Sequence, residues 1–279
     1  MFLRDYKMNK RQNIFIGIFT ISLFFSSMLC AQESILFSQI STKDGLPQNT
    51  ARSIVVDNMG FLWVGTLDGL VRYDGTRFIT YKPEPGRPKN ITDQRIRSIH
   101  EDKDGFLWIK TYDNSFNCYN PKLERFIEFS YEENTVPLLF TNYLETQKGE
   151  VWLWGDSGCV KIEKNTEGVP VIAFHSASNS SKLSEDKVNF VFADSLNNVW
   201  IGSDLGLNRI DSSGHTDEFY NQENLGVFRK AMQLNSIVYF MSDDVICRYD
   251  LKKHLFLEAF KSSERCSLRD IAQLNKDNL

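Results

Sequence analysis

The residues of this chain that could do chemistry are few and scattered. Its four histidines, His100, His175, His215 and His254, stand in unrelated contexts. None is spaced from another ligand type as a metal site requires, and none adjoins an evident serine or cysteine nucleophile. Cys118, Cys159, Cys247 and Cys266 include no C-x-x-C pair, so they predict no metal centre. Cys118, Cys159 and Cys247 lie beside apolar residues and read as buried thiols; in an exported chain the four could instead pair, in three ways. Asp102 and Asp104 flank a turn and read as turn formers rather than as an acid–base couple. There is no glycine-rich phosphate loop, so neither ATP binding nor phosphoryl transfer is expected of this chain. No catalytic, metal or cofactor residue is therefore assigned. What remains for ligand contact is Tyr112, Asp113 and Asn114, with Trp154 and Asp156. These depart from or decorate a regular motif near its turns, and irregular packing is the competing reading of all five.

The elements that must position these residues are written as a repeat. Turn signals at Asn58 to Gly60, Asp68-Gly69 and Asp74-Gly75 divide residues 54–81 into four short apolar runs. Asp-Gly between alternating apolar residues favours tight hairpins, because glycine accepts the positive φ they need, so the segment predicts an antiparallel meander. Asp102 to Thr111 restates Asp57 to Thr66; Gly149 to Gly155 is a third copy and Asp194 to Ser203 a fourth. A fifth copy is degenerate, with Tyr239 in the tryptophan's place. The anchors Trp63, Trp108, Trp152, Trp200 and Tyr239 recur every 39 to 48 residues. Four strands at such a period predict an all-β fold, a β-propeller. One small sheet cannot hide its apolar face alone, so blades must stack and cover one another. The indole is expected to fill the wedge between successive blades, and the glycine two residues after it to leave room where strands crowd near the axis. Lys110, Trp154 and Met241 replace that glycine, so their blades are expected to be less regular there.

The organisation expected is residues 1–31 as a signal peptide and 35–279 as about five four-stranded blades plus a partial sixth, an incomplete ring. Arg4, Lys7, Lys10 and Arg11 precede the apolar run Ile14 to Leu29, and Ala31 offers a cleavage point. An uncleaved membrane anchor is the rival reading, although the run is somewhat short for a span. Four basic residues and one acid would leave with that segment, making the remainder more acidic than the chain's −4. Such a surface gives no reason to expect nucleic acid. With 42% hydrophobic and 13% aromatic residues the chain can bury a large core. Segments 83–95 and 175–187 read as loops between blades, where propellers can carry binding residues. Ile271 to Leu279 matches the first half of another repeat, which reads as a fragment of a longer protein.

The repeat Ile-x-x-Ile-x-x-Asp-x-x-Gly-x-Leu-Trp-Ile-Gly-Thr, seen from Ile96 to Thr111, resembles the two-component regulator propeller repeat. The lead-in from Phe37 to Asn49 resembles the start of periplasmic sensor regions in hybrid two-component systems. The resemblance covers residue 35 onward. It implies a periplasmic ligand-sensing module, often for oligosaccharides, acting in a full-length homodimer with a membrane helix, a histidine kinase core and a DNA-binding output. The membrane would then be met only through the signal segment or a C-terminal part not in this sequence. Aromatic and polar side chains at loop ends would be the sugar contacts, because sugars offer apolar faces and many hydroxyls. The alternative is a secreted propeller glycoside hydrolase or lyase. Its Asp-box turn needs Asp two residues before the glycine, where this chain has Asn58, Lys103, Gln147 or Leu196.

Overall fold

A computed structural model describes residues 37–84, 86, 90–127, 140–156, 158–165, 168–175, 187–220, 227–261 and 270. The expected signal segment, the C-terminal half-repeat, Cys266, residues 85 and 87–89 of the first long loop and 176–186 of the second lie outside them. Twenty strands form five four-stranded antiparallel sheets, each in simple chain order. The first is β1 (Ala51–Val56), β2 (Leu62–Thr66), β3 (Gly69–Tyr73) and β4 (Phe78–Tyr81); the second is β5 (Ile96–Glu101), β6 (Leu107–Thr111), β7 (Phe116–Asn120) and β8 (Arg125–Ile127). The third holds β9 (Asn142–Glu145), β10 (Val151–Gly155), β11 (Gly158–Lys164) and β12 (Pro170–His175). The fourth holds β13 (Val188–Ala193), β14 (Val199–Ser203), β15 (Gly206–Ile210) and β16 (Thr216–Tyr220). The fifth holds β17 (Lys230–Leu234), β18 (Ile237–Met241), β19 (Val245–Asp250) and β20 (Leu255–Lys261). The fold is the all-β propeller architecture the period predicts, one blade per repeat.

The core lies between blades, and strand alternation explains how. Successive side chains of a strand point to opposite faces. On β6, Trp108 joins Val151, Leu153 and Val160 of the third blade, whereas Leu107 and Ile109 join Trp63 and Leu70 of the first. Trp152 in the same way meets Val188, Val191 and Ile201 of the fourth blade, and Trp200 meets Val238, Phe240 and Tyr249 of the fifth. Each indole is therefore wedged against the following blade, with at most 1% of its surface exposed. Removing that much apolar surface from water favours folding by on the order of 4–6 kcal/mol per indole, as an upper figure. Cys118, Cys159 and Cys247 are buried in the third strands of three different blades, and burial pushes the Cys118 thiol up.

A buried indole also needs an acceptor for its N–H. In three blades the acceptor is the aspartate that opens the hairpin. Asp57 Oδ1 accepts from the Met59 and Phe61 N–H groups at 3.0 and 2.8 Å, and its Oδ2 accepts from Trp63 Nε1 at 2.7 Å. Asp102 does the same for Asp104, Phe106 and Trp108, and Asp194 for Leu196, Asn198 and Trp200. The turn closes with Gly60 and Gly105 at φ 87° and 85°; the fourth blade uses Asn197, at φ 61°, one of the few other residues at ease there. The third blade has Thr146 instead, whose hydroxyl accepts from the Glu150 N–H.

These turns are also tied to the next blade. The N–H groups of Asn58, Lys103 and Ser195 donate to Glu101, Glu145 and Gln233 at 2.8, 3.0 and 2.8 Å. At the junction of the third and fourth blades the residue at that register is Ala193, which has no such acceptor.

The glycine after the tryptophan leaves room, as expected, and side chains fill it. A Cβ on Gly202 would lie 2.1 Å from the ring of Phe190, its cross-strand partner, and one on Gly65 2.6 Å from Ile96 of the next blade. The space is taken by specific neighbouring side chains. Irregularity follows the departures only in part. The first, second and fourth blades carry a bulge between their first two strands, while the third and fifth shift it to their last two. Lys110 thus sits in a blade that keeps the common pattern.

Two outcomes test this account. Asp194→Ala, which strands the N–H groups of Leu196 and Asn198, the Asn198 side-chain amide and the Trp200 indole, should lower unfolding stability in urea by about 3 kcal/mol; a loss below about 0.5 kcal/mol would contradict the assigned role. Gly202→Ala should cost about 1–3 kcal/mol by overpacking against Phe190, read as a lower denaturation midpoint.

Candidate functional site

Each blade has one end made by the turn between its first and second strands, an Asp–Trp hairpin in three of them, and another made by the turn between its second and third strands. All five residues singled out in the sequence fall at or beside the second kind of turn. Tyr112, Asp113 and Asn114 lie in the β6–β7 turn; Trp154 is the last residue but one of β10 and Asp156 follows the strand.

The turn chemistry assigns most of them a local task. Asp113 Oδ1 accepts from the Thr111 hydroxyl at 2.5 Å and the Ser115 N–H at 3.0 Å, and Asn114 holds a φ of 65°. Both are turn formers. Trp154 is only 8% exposed and packs with Cys159, Val188 and Val191, so its ring is core and offers no sugar-stacking face. Its buried indole N–H finds no acceptor among the described residues. Asp156 is exposed on the turn. The two groups belong to adjacent blades and are linked by a relay. The Lys110 ammonium donates to the Thr141 carbonyl, and the Thr141 N–H donates to the Trp154 carbonyl at 2.9 Å.

Tyr112 is the exception, because the bulges of its own blade and of the first converge on it. β1 and β2 pair Ala51 with Thr66 and then Ser53 with Gly65, leaving Arg52 unopposed. β5 and β6 pair Ile96 with Thr111 and then Ser98 with Lys110, leaving Arg97 unopposed. A bulge leaves the extra residue out of the ladder and re-aims its side chain. Arg52 Nη2 donates to the Tyr112 hydroxyl at 2.6 Å, across the blade boundary. The Arg97 and Arg95 guanidinium carbons lie 5.7 and 5.8 Å from the Tyr112 ring centroid. The Tyr112 N–H donates to the Arg95 carbonyl at 3.1 Å, which fixes the ring against that strand.

The electrostatics are lopsided. Arg95 is held by Asp93 through Nη2 at 2.7 Å and Nε at 3.1 Å, and this guanidinium keeps the Asp93 carboxyl below the ordinary range. Arg52, Arg97 and Lys110 have no ion pair among the described residues. Lys110 is buried, and desolvation followed by the Arg97 charge lowers its pKa. Further on, Asn189 is the bulge residue of the fourth blade; it donates to Asp204 at 2.8 Å and to the Phe228 carbonyl at 3.1 Å. Arg229 pairs with Asp243.

Sequence reasoning missed Arg52, Arg95 and Arg97 and treated Lys110 only as a departure. One signal was present: Arg52, Arg97 and Asn189 all stand eleven residues before their tryptophan. At the opposite end, a cleft of about 340 Å³ between the second and third blades is lined by Asp104, Lys164, Glu150 and Glu163, among others. Its charges are used internally, Lys164 on Asp104 and Lys161 on Glu150 and Glu163. Among the described residues no cluster of His, Cys, Asp or Glu could hold a metal ion, and no helix is long and apolar enough to cross a membrane.

Comparison with known proteins bears on the repeats directly. The two-component regulator propeller model matches residues 45–68 and 90–113, the hairpins of the first two blades. Histidine kinase P4 of Formosa agariphila is 39% identical over 80 residues, 28% of this chain and 6% of that protein. Among solved structures, the extracellular domain of a hybrid two-component system from B. thetaiotaomicron is 22% identical, with a TM-score of 0.46, over 76% of this chain and 31% of that one. Virginiamycin B lyase from Staphylococcus aureus is 17% identical, with a TM-score of 0.45, over 78% of this chain and 72% of that one. The chain thus spans only a small part of the curated relative and about a third of the sensor domain. A propeller is a scaffold that hosts unrelated chemistries, so function must be argued from the site.

The shared field of Lys110 and Arg97 is open to measurement. In Arg97→Gln the Lys110 amine should titrate higher than in the parent while staying below the ordinary lysine value of about 10.4, because burial remains. NMR titration of its ε-methylene checks this, and an unmoved midpoint would show that the two charges do not interact.

Proposed function

We propose that this chain is the ligand-sensing propeller part of an exported hybrid two-component sensor, placed outside the cytoplasmic membrane. In this reading it binds an oligosaccharide and acts as part of a homodimeric full-length protein whose output is transcription of genes for using that glycan. The observation that carries the proposal is the match of residues 45–68 and 90–113 to the two-component regulator propeller. Three further features support it. The described secondary structure is all strand, so no kinase core lies in it and the signal must be passed to other domains. The Tyr112 surface offers exposed hydrogen-bond donors on strands held rigid by their blades, which suits recognition. Two carboxylates beside it, Asp93 and Asp113, are engaged by Arg95 and by the turn, so neither is free to serve as the acid or base of a glycoside cleavage.

Binding without turnover is the expected outcome. The purified chain, titrated calorimetrically against a panel of plant and algal oligosaccharides, should bind at least one and return it unchanged by chromatography. Release of shortened or unsaturated products would replace the sensing reading with a hydrolase or lyase. Heat release from none of the panel would remove the glycan from the proposal.

A further inference from the structure

The sensing reading leaves the ligand's chemistry open, and the bulges of the first two blades narrow it. Resting on that reading, we propose that Arg52 and Arg97, ordered by Tyr112, form a subsite for the acidic group of an oligosaccharide, a carboxylate or a sulfate ester.

The case begins with charge. Four cationic groups, Arg52, Arg95, Arg97 and Lys110, gather where two carboxylates, Asp93 and Asp113, are at hand. The whole chain carries a formal −4, so the local excess is opposite in sign to the rest of the molecule. Both carboxylates are already committed. Asp93 takes Arg95 in a fork, and Asp113 accepts from Thr111 and Ser115 within its turn. Arg52 and Arg97 keep their charge and their exposure.

Geometry adds a second, independent argument. Neither arginine reaches this place by ordinary strand alternation. Each occupies the unpaired position of a bulge, and the two bulges, 45 residues apart in sequence, aim at one tyrosine ring. Like charges brought this close repel; beside them the Lys110 amine is held below its ordinary range, first by burial and then by the Arg97 charge. An anion would relieve it. A guanidinium is suited to the task because its planar fork matches the two oxygens of a carboxylate or sulfate.

Tyr112 has a supporting part. Its hydroxyl accepts from Arg52 and its ring lies beside Arg95 and Arg97, so it is a positioning residue that pre-orders the guanidinium groups.

The test uses the full chain and three probes: digalacturonate for a carboxylate, neocarrabiose 4-sulfate for a sulfate, and neutral cellobiose. At low ionic strength one acidic probe should bind more tightly than cellobiose, and the preference should shrink in 0.5 M salt. Which of the two binds identifies the acidic group. Arg52→Gln and Arg97→Gln should each weaken that probe about tenfold or more, with thermal midpoints close to the parent's. Arg97→Lys, which keeps the charge but loses the fork, should fall between. Tyr112→Phe should weaken it less than Arg52→Gln and leave the salt dependence intact. If cellobiose binds as tightly as the acidic probes and the arginine variants match the parent, the acidic subsite is wrong while sensing stands. If neither acidic probe binds, the subsite is wrong as well, and the wider glycan titration decides separately whether the sensing reading survives.

Discussion

The structure depends on one interaction, the carboxylate that reaches from the start of a hairpin to the indole buried beneath it. A tryptophan supplies enough apolar surface to weld two small sheets together, but its N–H cannot be left without an acceptor in the interface. Asp57, Asp102 and Asp194 solve both problems at once, because one oxygen orders the turn and the other satisfies the ring. Turn conformation, strand register and inter-blade packing are thereby made mutually dependent within about seven residues.

Because each blade hides its tryptophan against the next, cohesion runs in one direction along the chain. The side-chain acceptors of Glu101, Glu145 and Gln233 reinforce three of the junctions by reaching back to the preceding turn. The junction that lacks such an acceptor, at Ala193, is also the one whose preceding blade has Thr146 in place of the aspartate. Polar reinforcement is thinnest there, and packing among Trp152, Trp154, Val188 and Ile201 carries the contact.

The same scaffold explains why a site can form where it does. Hairpin ends locked by aspartate leave little freedom, whereas the opposite ends accept bulges, substitutions at the glycine position and variable turns. Arg52, Arg97 and Asn189 occupy equivalent bulges but have different partners: Tyr112, of the next blade for Arg52 and of its own blade for Arg97, and a neighbouring aspartate and a carbonyl for the asparagine. Variation at a structurally fixed position is how a repeat can acquire recognition without loss of stability.

Much of the architecture was written in the sequence. The Asp-x-x-Gly-x-Leu-Trp spacing determined the hairpins, and the period determined one blade per repeat, because both are local consequences of turn chemistry and alternation. The burial of Trp63, Trp108, Trp152 and Trp200 followed from the same pattern. Side-chain roles at the candidate site did not. Trp154 looked like a binding aromatic and is core, since the register places it facing the fourth blade. Arg52 and Arg97 drew no notice in the sequence and meet at Tyr112, since a one-residue slip in each ladder turns them toward a common point. Sequence spacing sets what happens within a hairpin; which residues of different hairpins meet depends on bulges and on how one blade lies against the next, and those are decided only when the sheets pack.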